Sequence, residues 1–482
     1  MYKALLYICI FLPIVGGALV PVFGFKERRT REPYVLAVVL LTSAASVILS
    51  LKGVGTEAAL ARISAELQLS FRVDELGRVF ALLVSLLWPF ASLYAFEYMD
   101  HEERKNSFFS FYTISFGIAL GIAYASNLIT MYLFYELLTI LTLPLIMHER
   151  GRMSQKAGAE YIVYSIGGAT AALIGIILFV SHGGAQRYVF GGTWNSAPDG
   201  YFYLAFLLMF FGFGVKAAVF PLHDWLPSAS VAPTPVTALL HAVAVVKAGV
   251  FAIIRVSYCS FGAELLHGTW AQGVALFFAA FTIVYGSSMA LKEQHIKRRL
   301  AYSTVANLSY IILGAMILTP AGLSAGLTHM LFHGVMKISL FFVAGILNVK
   351  ADRFYVDEIA GLGRRMPLTF GAFTIAGLGL IGIPPFNGFY SKFAIASAAA
   401  ADGSIMDIVG IAALMVSAVL TAFYLMTIII PAFFPPKDID WVPLARYSDP
   451  NWYMLLPLAV FSAAVLLLGL FPGPVLRLVT IW

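Results

Sequence analysis

Apolar runs of roughly 18 residues or more recur from one end of the sequence to the other, separated by short polar or Gly/Pro-rich segments. A bilayer core is about 30 Å thick, so each run is long enough to cross it as a helix. An apolar/polar alternation over about ten residues, the mark of a membrane β-barrel, is missing from these runs. The pattern predicts an all-α, polytopic membrane protein with about fourteen transmembrane helices. They fall near 4–25, 34–51, 73–97, 108–125, 128–147, 159–181, 201–220, 235–257, 270–291, 299–318, 322–347, 367–398, 405–433 and 452–476. The first run, Leu5 to Phe25, is too long for a signal-peptide core and is expected to stay as a span.

Two runs are interrupted. Span 7 ends in Phe220-Pro221-Leu222-His223-Asp224-Trp225-Leu226-Pro227, and Gly382-Ile383-Pro384-Pro385-Phe386-Asn387-Gly388 divides span 12. Proline lacks the backbone donor and clashes with the preceding turn, so helices 7 and 12 are expected to be discontinuous. Breaks five helices apart predict two five-helix repeats, and an odd number of crossings per repeat inverts the second. The expected organisation is helices 1–3 over 1–107, a first inverted repeat (helices 4–8) over 108–258, a second (helices 9–13) over 259–433, and helix 14 over 434–482. The longest polar connections, near 52–72, 182–200 and 434–451, are too short for a soluble domain, so any catalytic head belongs to another chain.

Composition fits that picture: 60% of residues are hydrophobic and only 12% charged, which excludes an ordinary soluble domain. The formal charge of +6 comes largely from the odd-numbered connections, with Lys26, Arg28, Arg29 and Arg31 in the first and Lys292, Lys297, Arg298 and Arg299 in or beside the ninth. The positive-inside rule then puts odd connections in the cytoplasm and both termini outside, and accounts for the charge without a nucleic-acid partner. Cys9 and Cys259 stand alone in or beside apolar runs, so neither a disulfide framework nor an iron–sulfur cluster is available, and no cofactor is expected in this chain. Short loops and the lack of a transit peptide point to the inner (plasma) membrane of a prokaryote.

Ionisable side chains within spans cost about 2.5–3.5 kcal/mol each at a helix centre, so each needs a reason. Glu136 stands in span 5, Lys216 in span 7, His241 and Lys247 in span 8, His329, His333 and Lys337 in span 11, and Lys392 after the break in span 12. The i, i+4, i+8 spacing of His329, His333 and Lys337 keeps them on one helix stripe, a drift of about 40° per step. Histidine exchanges protons near neutrality, and a lysine whose charge burial disfavours can take part in the same exchange. Interhelical hydrogen bonds or snorkelling ends would explain one such residue but not the whole set. A lysine paired with a carboxylate stays charged and an unpaired one tends to lose its proton, so Glu136 and Lys216 read as a switch, with a static salt bridge as the plainer alternative. Burial shifts of about 3–5 units, roughly 4–7 kcal/mol, match the roughly 4.6 kcal/mol of moving one charge through about 200 mV.

Other features carry less. Gly377-Leu378-Gly379-Leu380-Ile381-Gly382 fits the dinucleotide fingerprint, but inside an apolar span and without a strand before it the spacing reads as close helix packing. His148, His182, His267 and His295 lie near span ends and are expected to be solvated; His101-Glu102-Glu103 is a loop cluster. Asp74 and Arg78 read as a pair at the head of span 3, and no metal-ligand set is found.

These residues together resemble the antiporter-like subunits shared by respiratory complex I, energy-converting membrane-bound hydrogenases and Mrp-type cation/proton antiporters. The resemblance rests on Asn127-Leu128 to Glu136-Leu137, Lys216 through Pro227, Ala232-Pro233-Thr234-Pro235 to His241, Lys247-Ala248-Gly249-Val250-Phe251, Ile296-Lys297-Arg298-Arg299-Leu300-Ala301-Tyr302-Ser303-Thr304, His329 to Lys337, and Gly382 to Lys392. It implies a fourteen-helix core, and a relay in which Glu136 pairs with Lys216, Lys247 with His241 forms the central link, and His329, His333 and Lys337 lead to a terminal Lys392. It also implies partners: other membrane subunits of a hetero-oligomeric complex, and a soluble redox arm whose iron–sulfur or nickel–iron centres lie outside this chain. The expected function is translocation of H+, with Na+ as a further candidate ion, by a subunit of a redox-driven pump; the alternative is a Mrp-type Na+/H+ antiporter subunit without redox chemistry.

Overall fold

The computed structural model describes residues 1–62 and 68–481. Its helices follow the apolar runs: α1 (Tyr2–Phe23), α2 (Arg28–Lys52), α3 (Glu75–Tyr98), α4 (Lys105–Ala123), α5 (Leu128–Ile146) and α6 (Arg152–Ser181). α7 (Gly200–Gly214) stops at the first expected break, and the short α8 (Trp225–Ser228) lies beyond it. Then come α9 (Thr234–Ala242), α10 (Val245–Val256), the one-turn α11 (Ala263–Leu266), α12 (Trp270–Lys292), α13 (Ile296–Met316) and α14 (Pro320–Ile346). After a short α15 (Leu362–Arg365), α16 (Pro367–Ile381) ends at the second break and α17 (Asn387–Asp402) resumes; α18 (Ile405–Phe433), α19 (Trp452–Leu470) and α20 (Gly473–Val479) follow.

The chain is a multi-pass, predominantly helical membrane protein. Helix occupies every expected span, while length and hydropathy alone single out eleven crossings among the described residues. α7 and α16 are cut short by their breaks, and α13 opens on Lys297, Arg298 and Arg299 and continues with Ser303, Thr304 and Asn307.

Backbone chemistry explains the breaks. In α16, Gly382 takes φ +93°, and its N–H and that of Ile383 return to Gly379 and Leu378. Pro384 and Pro385 have no N–H to offer, which leaves the Leu380 and Ile381 carbonyls to other donors. Beyond α7, Trp225 Nε1 donates to the Val215 carbonyl at 2.8 Å, and Phe220 N to Thr282 Oγ1 at 3.0 Å. Span 8, expected to be continuous, is interrupted as well. The N–H groups of Val243 and Ala244 both donate to the Leu239 carbonyl, a widened turn that separates His241 from Lys247.

The connection near 52–72, expected to be loop, contains an antiparallel hairpin of β1 (Glu57–Arg62) and β2 (Gln68–Arg72), paired from Glu57↔Arg72 to Arg62↔Gln68. β2 is held from the side: Ser126 N donates to Ser70 O, and Arg72 N to Tyr124 O.

Connections sort by parity into two layers. On the odd side, Asn106 Nδ2 reaches Phe25 O, Arg104 reaches His148 O, Lys350 pairs with Glu97, and His295 bridges Tyr355. On the even side, Leu128 N reaches Gln186 O, Val189 N reaches Cys259 O, and His267 pairs with Asp402. Alternation of this kind is what inverted five-helix repeats require, and the discontinuous α7–α8 and α16–α17 lie in corresponding places of the two halves. The segment Thr234–Phe261, holding α9 and α10, is 100% buried across its most apolar window, and that of α14 is 94% buried, against 33% for α19. The two most enclosed spans are therefore the ones that carry most of the ionisable groups.

Candidate functional site

Interior side chains of α10 and α14 meet at the centre of the bundle. Lys247 Nζ lies 2.5 Å from His333 Nδ1, both residues fully buried. A hydrogen bond between these two nitrogens needs one of them to donate and the other to accept. One turn away on α14, His329 sits with its ring 5.9 Å from that of His333. Its Nδ1 is 2.9 Å from Ser391 Oγ on α17, and its Nε2 is 3.3 Å from Asn307 Oδ1 on α13. Ser391 adjoins Lys392 in sequence, so α14 and α17 carry the line from the centre toward the second break. The His333–His329 and Ser391–Lys392 steps are left to a bridging water rather than closed by a direct hydrogen bond.

Lys392 Nζ donates to the carbonyls left free at the end of α16, Leu380 O at 2.6 Å and Ile381 O at 3.1 Å, and lies 5.0 Å from the ring centre of Tyr310. The negative end of a helix dipole and an aromatic face both favour a cation there. Lys337, two turns beyond His329 on the same stripe, donates to Leu300 O at 2.7 Å and to Ser303 Oγ.

At the first break, Lys216 lies in the turn just past α7, fully buried, and donates to the Tyr135 carbonyl on α5 with its Nζ 3.5 Å from the Tyr135 ring centre. Glu136 is the next residue along α5, but no ion pair closes between it and Lys216; Glu136 Oε1 is buried without a hydrogen-bond partner. The expected pair is adjacent and open, because the lysine is taken up by the preceding carbonyl. Glu136 sits at the edge of the bundle, half-buried between the exposed Leu133 and Ile140. Gly249 on α10 joins the first break to the centre: a Cβ there would meet Ala217 N at 2.5 Å and Lys216 Cβ at 2.9 Å. Lys216 and Lys247 are thus held on two backbones in direct contact.

His241, on the near side of the widened turn, is fully buried and stacks on Phe341 at 4.7 Å, with no hydrogen-bond partner on either ring nitrogen. Such atoms are normally satisfied, which leaves them open to a proton or a bridging water. Of the eight residues singled out in the sequence, Lys216, His241, Lys247, His329, His333, Lys337 and Lys392 are buried in the interior, and Glu136 is half-buried at its edge. Sequence reasoning missed Asn307, Tyr310, Ser303 and Ser391, although a polar side chain in an apolar run was the signal available.

Several surrounding expectations change. Asp74 does not pair with Arg78: it caps α3 through Gly77 N and pairs with the buried Arg255 of α10 at 2.6 Å, while Arg78 pairs with Glu75 at 2.6 Å. His148, expected to be solvated, is buried against Phe108, and burial lowers its basicity against the opposing pull of Glu102. The Gly377–Gly382 spacing is helix packing as read, with a Cβ at Gly379 meeting Val465 at 2.9 Å and Met336 Sδ at 3.0 Å. No group of three or more His, Cys, Asp or Glu able to hold a metal occurs among the described residues.

Comparisons with known proteins agree with this architecture. Residues 62–109 match the family described as NADH-Ubiquinone oxidoreductase (complex I), chain 5 N-terminus. The Na(+)/H(+) antiporter subunit A1 of Staphylococcus aureus strain JH9 is 29% identical over 502 aligned residues, covering 98% of this chain and 61% of that protein. The chain thus spans about three-fifths of the length of these relatives. Among solved structures, a chain of an archaeal membrane-bound sulfane sulfur reductase superposes with a TM-score of 0.87 at 24% identity, covering 99% of this chain and 96% of the other. A chain of the Mrp complex from Dietzia sp. DQ12-45-1b gives 0.85 at 21% identity over 100% and 96%. A chain of respiratory complex I from Thermus thermophilus gives 0.83 at 23% over 99% and 97%. At these identities the structural likeness speaks for the fold. Residues 125–421, more than half of the sequence, match the remaining family model, and the chain belongs to that family: NADH:quinone oxidoreductase/Mrp antiporter, TM.

Proposed function

We propose that this chain is the proton-translocating, antiporter-like membrane subunit of a multisubunit redox-driven ion pump, of the complex I or energy-converting hydrogenase kind. The observation that carries the reading is the succession of buried polar groups through the most enclosed part of the bundle, Lys247 on His333, His329 on Ser391, and Lys392 next along α17, with water bridging the steps between them. Lys216, Glu136, His241 and Lys337 extend it to the first break and to α13. Protons pass along it by exchange between neighbouring bases, and the Glu136–Lys216 contact opens and closes to set whether Lys216 keeps its charge. The redox chemistry, with its iron–sulfur or nickel–iron centres, belongs to partner subunits. The odd connections face the cytoplasm of a prokaryote and both termini face outward, as the basic residues of the first and ninth connections favour.

A Mrp-type Na+/H+ antiporter subunit is the second reading, favoured by the Staphylococcus relatives over 98% of this chain. Purification under mild detergent separates the two: a soluble arm with iron–sulfur or nickel–iron centres supports the first, and small membrane partners alone support the second. Lys216→Ala and Glu136→Ala test the relay itself. Each should lower proton pumping on the order of a hundredfold while the chain still assembles; unchanged pumping in both removes the switch.

A further inference from the structure

Lys297 is a buried cation that the relay described so far does not use. It stands at the head of α13 on the odd side, 6% exposed, and its Nζ donates to the Ala232 carbonyl at 2.9 Å. The same carbonyl accepts the hydroxyl of the fully buried Thr237 at 3.0 Å. Two proton-carrying groups thus converge on one acceptor. Thr234, Thr237 and His241 follow the i, i+3, i+7 spacing of α9, so they share one helix face running inward from the odd side. His241, one turn beyond Thr237, has both ring nitrogens unpartnered, and Lys297, Lys337 and Lys247 are the cations within its electrostatic reach.

Outside Lys297 lies Glu149, exposed in the α5–α6 connection, with Glu102, His148 and Arg104 behind it. Tyr98 faces Thr234 at 3.3 Å, and His295 and Arg298 flank Lys297 on its own segment. Partial burial raises the Glu149 carboxyl above its ordinary value, against a smaller pull from Lys297, so it can carry a proton closer to neutrality than a free glutamate.

From this geometry we infer that Glu149, Lys297 and Thr237 form the access route by which protons from the odd face reach His241, an inference that rests on the relay reading above. Lys297 gives a proton to the Thr237 oxygen as that hydroxyl passes its own hydrogen to a His241 ring nitrogen, with a water bridging where one hydrogen bond does not span. The hydroxyl then turns back to Ala232, and the neutral lysine is reprotonated from the odd side through Glu149. One proton moves inward onto His241, and Lys297 and Thr237 return to their starting states. His241 and Glu149 return to theirs when His241 hands its proton on to the relay and Glu149 takes a new one from the odd side.

The plain alternative is that Lys297 only caps the Ala232 carbonyl. Arginine separates the two, because it keeps the charge and the donors but does not release its proton. The test uses the full chain in sealed native-membrane vesicles, with a pH-sensitive dye reporting the initial rate of proton uptake from the odd face. Lys297→Arg and Thr237→Val should each slow uptake on the order of a hundredfold at unchanged protein level, and Thr237→Ser should restore it. A wild-type rate in Lys297→Arg, or in Thr237→Val, overturns the route. Lys247→Met, measured alongside, keeps the two claims apart: uptake lost there but normal in Lys297→Arg removes only the route, while uptake retained in Lys247→Met removes the relay and the route with it.

Discussion

At the scale of single residues, close approach decides which bases can exchange a proton. Gly249 allows α10 to lie against the backbone of Ala217 and so brings the Lys247 helix to Lys216. Gly249→Ala must push two backbones apart, and we expect a loss of about 1–3 kcal/mol in thermal unfolding of the solubilised chain, together with slower transport. The buried ionisable residues themselves were legible in the sequence, because Lys247, His333 or Lys392 stands out in an apolar run. The partners that fix their state were not. That Tyr135 lends its carbonyl to Lys216, or that Leu380 and Ile381 lend theirs to Lys392, depends on where two broken helices stop, and spacing says nothing about it.

At the scale of elements, Pro221, Pro384 and Pro385 announce two breaks through their missing donors, whereas the widened turn at Val243 and Ala244 has no proline or glycine to mark it. That third break arises from tertiary packing, and so does the hairpin, whose β2 strand borrows partners from Tyr124 and Ser126. α10 is fastened at its far end by Arg255, 1% exposed, which donates to Asp74 at 2.6 Å and to Ala123 O at 3.3 Å. Asp74→Ala leaves that cation buried and unpaired, at an expected cost of about 3–5 kcal/mol. Replacing both partners, Asp74→Leu with Arg255→Leu, should cost less than Asp74→Ala alone. Thermal melts of the three chains check the order, and a harsher double variant would show that the pair does not fasten α10.

At the scale of the whole molecule, the connections form two layers, and the basic one is expected to face the cytoplasm. Cys9 and Cys259 are both buried, so cysteines placed at the exposed Arg29 and Asn195 report each side separately. In intact cells a membrane-impermeant thiol reagent should label Asn195→Cys and spare Arg29→Cys; the reverse pattern would invert the topology. The corresponding breaks were readable from hydropathy and proline alone. The crossing of α10 and α14 that brings Lys247 to His333 was not, since it joins residues in opposite halves of the fold. That contact is the narrowest point of the account, and Lys247→Met tests it most directly because methionine keeps the bulk and removes the exchangeable proton. With the chain assembled to wild-type level, the initial rate of proton translocation in sealed membrane vesicles should fall on the order of a hundredfold or more. Translocation at the wild-type rate would contradict a relay through the centre of this bundle.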